Sequence, residues 1–324
     1  MTHNLRLFYT NIFIFTISTL FTVNIFSQNV FIGKNEDPIN YCDFCLCSQG
    51  ISPLDFSGKG IRIDQRYLLI DKLVNNNSTV TNNIGSFERH LTFQFSGIYS
   101  MSPRVSFLGI LPYSVRSGRD DFSESIARTN GFGDLILFGR YFPVEKHTMR
   151  STFLLSTQFG IKFPTGKANE KDPDGELIDP HLQLGTGSTD LLAGTNIMYS
   201  FKKMYITNNL LFGLRNKGNN GYRFGNTLNY DINFGYRIYQ SGIGQNIVVL
   251  HGGFQGELHG KESQDGVIID NSGGNTIFAN AGINYFMSPK IELEFQFNLP
   301  VHYALNGLQD AETYRFSSGI QFVF

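Results

Sequence analysis

The chain has 324 residues, of which 31 are Phe, 15 Tyr and 34 Gly, and a formal net charge of −1. That balance gives no basic surface, so a nucleic-acid partner is excluded from the expectations. A mean hydropathy of −0.13 looks soluble by average, and only the order of the residues shows why that average misleads.

The first residues carry Arg6, followed by the apolar run LFYTNIFIFTISTLFTVNIFS. This pattern predicts a secretory signal peptide over residues 1–27, with Gln28 opening the mature chain. The run also approaches the length of a spanning helix, which is the alternative reading. Residues 28–59 form a short periplasmic or plug segment. It holds Cys42, Cys45 and Cys47, the only cysteines, spaced C-x-x-C-x-C. Three readings of that spacing stand side by side. One is a disulfide with one thiol left over, in an oxidising periplasm. Another is a soft-metal site for Cu(I) or Zn, although zinc needs a fourth ligand that the spacing does not supply. The third is attachment of a cofactor or partner; no C-x-x-C-H occurs, which disfavours c-type haem.

Residues 60–324 read as one barrel. Alternating segments fall near 60–71, 88–100, 104–114, 132–143, 151–163, 188–201, 204–215, 222–240, 246–259, 275–287, 290–302 and 312–324. In the eighth, Tyr222, Phe224, Leu228, Tyr230, Ile232, Phe234, Tyr236 and Ile238 share one face, and Arg223, Asn229, Asp231, Asn233 and Arg237 share the other. A soluble strand alternates too, but it usually runs about 5–6 residues. A strand crossing a bilayer needs about 9–11. Length and alternation together predict an all-β, transmembrane, antiparallel up-and-down β-barrel of about 12 strands. Segment 188–201 is weak, because both of its faces are partly apolar.

The connections alternate between short turns, such as 101–103 and 201–203, and longer polar loops, such as 164–187, 260–275 and 304–311. This is the pattern of a bacterial outer-membrane barrel, and an even strand count puts both termini in the periplasm. The final strand ends IQFVF with Phe324 last, which resembles the terminal signal read by barrel-assembly machinery. Expected partners are therefore that machinery, outer-membrane lipid of a Gram-negative-type cell, and a small-molecule solute.

Alternation places Arg66, Arg140, Arg223, Asp231, Arg237, His251, Glu257, Glu292, Glu294, His302 and Arg315 inside, as lumen and transport candidates. Both signs are present, which argues against a strongly ion-selective ring. Small inward residues, among them Gly225, Asn233, Gly253, Asn280 and Asn284, leave room for a solute or for a plug. Pro164 and Gly166 end a strand at the outer rim. Asp134 and Asp190 open neighbouring strands there, where a carboxylate caps loop amides or pairs with an arginine.

Two stretches carry a family resemblance: GFGDLILFGRYF (131–142), and FGIKFPTGK (159–167) followed by GTGSTDLLAGTNIMYSF (185–201). In this order they resemble the outer-membrane transporter-like proteins of the MetA-pathway of phenol degradation family. The resemblance implies an outer-membrane channel for small, often hydrophobic or aromatic compounds.

Three functions compete. The first is passive transport through the lumen, with loops 164–187 and 260–275 gating entry and residues 54–60 forming part of a plug. The second is a barrel enzyme acting on lipid, with His251, His259 or His302 as base; no adjacent His-x-Ser pattern supports it, and no enzyme is expected. The third is a structural or adhesion role of the loops.

Overall fold

The computed structural model describes residues 59–324, apart from 84, 120–125, 173–174 and 242–245. The signal-peptide reading and the readings of Cys42, Cys45 and Cys47 lie outside the described residues. Twelve long strands follow one another, each antiparallel to the next. They are β1 (Lys59–Asn75), β2 (Phe87–Ser102), β3 (Val105–Arg119), β4 (Leu135–His147), β5 (Ser151–Phe163) and β6 (Asp190–Phe201). The rest are β7 (Met204–Leu214), β8 (Thr227–Tyr239), β9 (Ile247–His259), β10 (Gly274–Ser288), β11 (Ile291–Leu305) and β12 (Leu308–Val323). The sheet closes on itself, because β12 pairs with β1 from Gly60↔Val323 to Asn75↔Leu308. At one end of this seam the Phe324 amide donates to the Lys59 carbonyl at 2.9 Å. Closure leaves no unpaired edge, which a hydrocarbon surrounding requires.

The two faces of each strand reverse the arrangement of a soluble protein. On β8, Ile232, Phe234, Tyr236 and Ile238 are 36%, 54%, 49% and 51% exposed, while inward Asn233 is 2% exposed. The same holds on β11, where Phe295, Phe297 and Leu299 are exposed and Glu292, Glu294, Gln296 and Asn298 are buried. Apolar side chains therefore face the surroundings and polar ones the interior, as a lipid-embedded barrel demands. Outward Tyr99, Tyr141, Tyr199, Tyr236 and Tyr239 lie toward the short-turn rim, where amphipathic rings suit a membrane interface.

Three sequence expectations are corrected. Tyr222–Arg223 is not the start of β8. It pairs with Ser263–Gln264 in a small separate ribbon above the long-loop rim. The chain leaves the wall at Gly225, where a Cβ would stand 1.9 Å from the Gly260 carbonyl oxygen. Arg223 is accordingly off the lumen wall, donating from Nε to the Arg215 carbonyl at 3.1 Å. His302 is not inward either. Val301 is an extra residue between the pairs Phe278↔Pro300 and Ile277↔His302, so the bulge turns His302 outward. Finally, the expected loop 304–311 shrinks to Asn306–Gly307, with Gly307 at φ 72°.

On β9 the wall leaves no room for a side chain at Gly253. A Cβ at Gly253 would lie 2.0 Å from the Ile232 carbonyl oxygen and 2.8 Å from the Asn233 Cα, both backbone atoms on the paired strand. Backbone cannot swing aside as a side-chain tip can. Gly253→Ala is therefore expected to cost about 1–3 kcal/mol, seen as a lower urea midpoint for the barrel in lipid vesicles.

Candidate functional site: the lumen and its long-loop mouth

The inward positions of alternating strands meet inside the barrel and form three polar groups. Near the short-turn end, Arg62 on β1 donates from Nε to Asp64 at 2.7 Å and from Nη2 to Glu294 on β11 at 2.6 Å. Glu292, two residues along β11, accepts from Asn284 Nδ2 on β10 at 2.7 Å. Farther toward the long loops, Arg315 on β12 pairs with Glu257 on β9 at 2.8 Å and with Glu312 at 2.6 Å. Its guanidinium lies 4.8 Å from the ring centroid of inward Phe278. On the facing wall, Arg140 on β4 is 1% exposed and donates to Gln158 on β5 at 3.4 Å. Asp231 accepts from Asn209 at 2.8 Å and from Asn233 at 3.0 Å. Arg237 holds the short-turn rim, donating to the Lys202 carbonyl at 3.0 Å.

The lumen is not polar throughout. Inward Ile98, Leu108, Ile110, Phe138 and Leu192 form one buried apolar cluster, with Ile136 and Leu211 packed against it. Leu154, Met198, Tyr205, Ile247 and Val249 form a second, with Phe286 against it. Alternation alone did not reveal these clusters. The one signal was segment 188–201, whose two apolar faces reflect Leu192 and Met198 pointing in while Leu191, Ile197 and Tyr199 point out. The barrel interior thus holds apolar side chains and hydrogen-bonding groups together.

At the long-loop rim the chain from Pro164 to Thr189 is built on two carboxylates. Asp134, at the start of β4, accepts from the Gly166 amide at 3.0 Å, the Thr186 amide at 2.9 Å and Lys162 Nζ at 2.9 Å. Asp190, at the start of β6 and 0% exposed, accepts from Ser188 Oγ at 2.8 Å, the Asn216 amide at 3.0 Å and Arg215 at 3.0 Å. Lys162 Nζ also reaches Asp190 at 2.9 Å, so one ammonium serves both acids. Pro164 ends the β5 ladder, and Gly166 passes the Gly133 backbone so closely that a Cβ would sit 2.9 Å from it. Lys162, Arg215, Arg62 and Glu312 are partners that the candidate list lacked. The inward parity of Lys162, Arg215 and Arg62 was readable in the sequence, but their pairing depends on register; Glu312 has the parity of outward Tyr314 and turns inward only because the pairing skips Thr313.

The loop is also tied to its neighbours. Arg116 on β3 donates to the His181 carbonyl at 2.9 Å and to the Gln183 carbonyl, and Thr129 Oγ1 donates to the Leu182 carbonyl at 2.6 Å. His181 meets Glu262 of the β9–β10 loop at 3.2 Å, and the Tyr222 hydroxyl donates to the same carboxylate. The Phe224 ring packs edge-on against His181 at 5.4 Å. Burial pushes the His181 imidazole pKa down, but the Glu262 hydrogen bond and charge, with Asp179 and Glu88 nearby, outweigh it and raise it to about 9. A raised folded value means that the His181 contribution is fully present below about 6.5 and fades as pH rises through about 9. The half-exposed histidine limits it to at most about 1 kcal/mol. Proteolysis of the 164–189 loop is therefore expected to accelerate as pH passes 9, and His181→Ala is expected to flatten that profile.

The family model for the MetA-pathway of phenol degradation matches residues 73–304. The chain belongs to this family. Among solved structures it is similar to the COG4313 outer membrane channel from Pseudomonas putida F1. The TM-score is 0.65 at 16% identity, covering 90% of this chain and 100% of that one. The β domain of the Bordetella autotransporter BrkA gives a TM-score of 0.45 at 13% identity, covering 83% and 100%. The CymD monoaromatic hydrocarbon channel gives 0.39 at 9%, covering 82% and 88%. No curated protein matches the sequence. The fold is that of an outer-membrane β-barrel.

Proposed function

We propose that this family member is an outer-membrane channel through which small solutes, those with apolar or aromatic parts among them, pass by diffusion along the lumen. The reading rests on one observation above the others. Inside a closed wall whose outer face is apolar, buried apolar clusters and hydrogen-bonding groups line the same interior. A solute with a greasy ring or chain and a polar end meets a partner for each part there. The name of the Pseudomonas putida relative, an outer membrane channel, agrees with this. In this reading the short turns and both termini face the periplasm, and the 164–189 and 260–273 loops face outward as the entrance.

The lipid-enzyme reading gains nothing from the geometry. His251 points inward and His302 outward, while His259 sits 3.9 Å from Glu257 at the rim. The channel reading is tested with liposomes holding the full chain or a chain lacking residues 28–55, challenged with polar and aromatic solutes. Solute-dependent permeability without lipid hydrolysis is expected. Permeability equal to that of protein-free liposomes in both cases would overturn it.

A further inference from the structure

Three arginines gather on the outer face of the long-loop rim, and strand parity puts them there. On β2, Arg89 shares a face with Phe93 and Phe95, while Glu88 and His90 pair at 2.7 Å on the other. On β3, Arg116 turns inward to the 164–189 loop, so Ser117 and Arg119 turn outward. Beside β3 runs the short strand Ala127–Phe132, where inward Thr129 meets the Leu182 carbonyl and Arg128 faces out. Pairing sets Arg89↔Ser117↔Arg128 in one row, and Phe87↔Arg119 two residues nearer the loops on the same face. With strands about 4.8 Å apart, the three side chains surround Ser117. Two of them are held in place by one ring. The Arg89 and Arg119 guanidiniums lie 4.8 and 5.9 Å from the Phe87 centroid, and Arg119 also donates to the Gly85 carbonyl.

What sets these arginines apart is the missing acid. At inward positions Arg62, Arg215 and Arg315 each meet a carboxylate. Arg89, Arg119 and Arg128 meet none among the described residues. Like charges on one sheet face repel, and a guanidinium at the edge of hydrocarbon is costly unless matched. Nearer the barrel's waist, on the same outer face, Tyr113 and Phe132 pack edge-on at 5.2 Å, with Phe132 55% exposed. A cationic cluster above an apolar band is the complement of an anionic lipid, headgroup above and chains below. Guanidinium forks fit phosphate oxygens, and basic pockets at membrane surfaces hold phosphorylated headgroups. Three cations suit a phosphate monoester, which carries about −1.5 to −2 at pH 7, better than a singly charged phosphodiester.

We infer that this face docks a phosphorylated glycolipid of the outer leaflet, its phosphate held by Arg89, Arg119 and Arg128 and its chains lying against Tyr113 and Phe132. The inference rests on the orientation given with the channel reading, long loops outward, and goes beyond it by naming a partner within the membrane. Native mass spectrometry tests it on the full chain in amine-oxide detergent. The chain is titrated with lipid A, with lipid A stripped of its phosphates, and with phosphatidylglycerol. Lipid A is expected to be retained most, phosphatidylglycerol less and the stripped form least. Arg89→Gln/Arg128→Gln is expected to weaken lipid A about 25-fold, at about fivefold for each arginine near a membrane surface. Arg119 stays, because it holds the Gly85 turn. Should the double variant fail to fold, Arg128→Gln alone reads about a fivefold loss. Equal retention of lipid A and its stripped form, preference for phosphatidylglycerol, or unchanged lipid A affinity in the folded variant would overturn the site. So would failure to retain lipid A, the result if Asp120, Asp121 or Glu124, outside the described residues, already neutralise the arginines. Retention of lipid A by a chain that passes no solute would keep the site and remove the channel.

Discussion

Replacing Lys162 with Met is expected to cost about 3–5 kcal/mol, the loss that follows when one partner of a buried ion pair is removed. Lys162 is 6% exposed at its side chain, and its Nζ lies 2.9 Å from both Asp134 and Asp190, themselves 7% and 0% exposed. The two acids are not equally vulnerable. Asp190 keeps Arg215 at 3.0 Å. The other partners described for Asp134 are neutral: the Gly166 and Thr186 amides and the Thr186 hydroxyl. The charge left uncompensated is therefore that of Asp134, and the double variant Lys162→Met/Asp134→Asn is expected to recover part of the loss. A double-mutant cycle in urea, with the barrel in lipid vesicles, reads this coupling, which for residues in one network is about 0.5–3 kcal/mol. Strict additivity would show that the ammonium does not hold the rim together. Because Asp134 also carries the Gly166 and Thr186 amides, the 164–189 loop is expected to become protease-sensitive in the single variant.

Phe234→Arg is expected to cost about 1–3 kcal/mol, because a cation on the lipid face costs about 2–4 kcal/mol at the midplane and less toward the interface, and Phe234 lies between the midplane and the rim that holds Tyr236. By exposure alone Phe234 is a surface residue at 54%, and in a soluble protein such a change usually falls within about 0.5 kcal/mol. The outcome therefore separates a lipid-facing Phe234 from a water-facing one. Phe234→Leu, which stays apolar, is expected to cost less than about 1.5 kcal/mol. Unfolding in urea from lipid vesicles measures both. A Phe234→Arg protein as stable as the parent would mean that this face does not meet hydrocarbon.

What the sequence made legible follows from where a period of two is the only rule at work. From Thr227 to Arg237 no register shift interrupts the strand, and the apolar and polar faces fall where alternation puts them. The short and long connections separated the two rims for the same reason. Alternation also ran on through Tyr222 and Phe224, where it misled. Those rings face His181 and each other in the loops, and an apolar residue at every second position reads the same whether its neighbour is lipid or another ring. His302 was misplaced because one extra residue at Val301 inverts the parity beyond it. Asp134 and Asp190 were recognisable as rim carboxylates from their place at strand openings. That a single lysine joins them was not, since it depends on the register of β4 to β5 to β6 and on where the returning loop lands.

The seam between β1 and β12 joins the two ends of a span of more than 250 residues. Until the last segment has been made, every shorter form of the chain carries two raw sheet margins and an unburied greasy exterior, and no local contact substitutes for the missing stave. Ring closure at such a separation in sequence is entropically late. A ribosome that stops a few codons early leaves not a slightly weakened cylinder but an open ribbon, so the newly exported polypeptide must be sheltered until its final residues arrive.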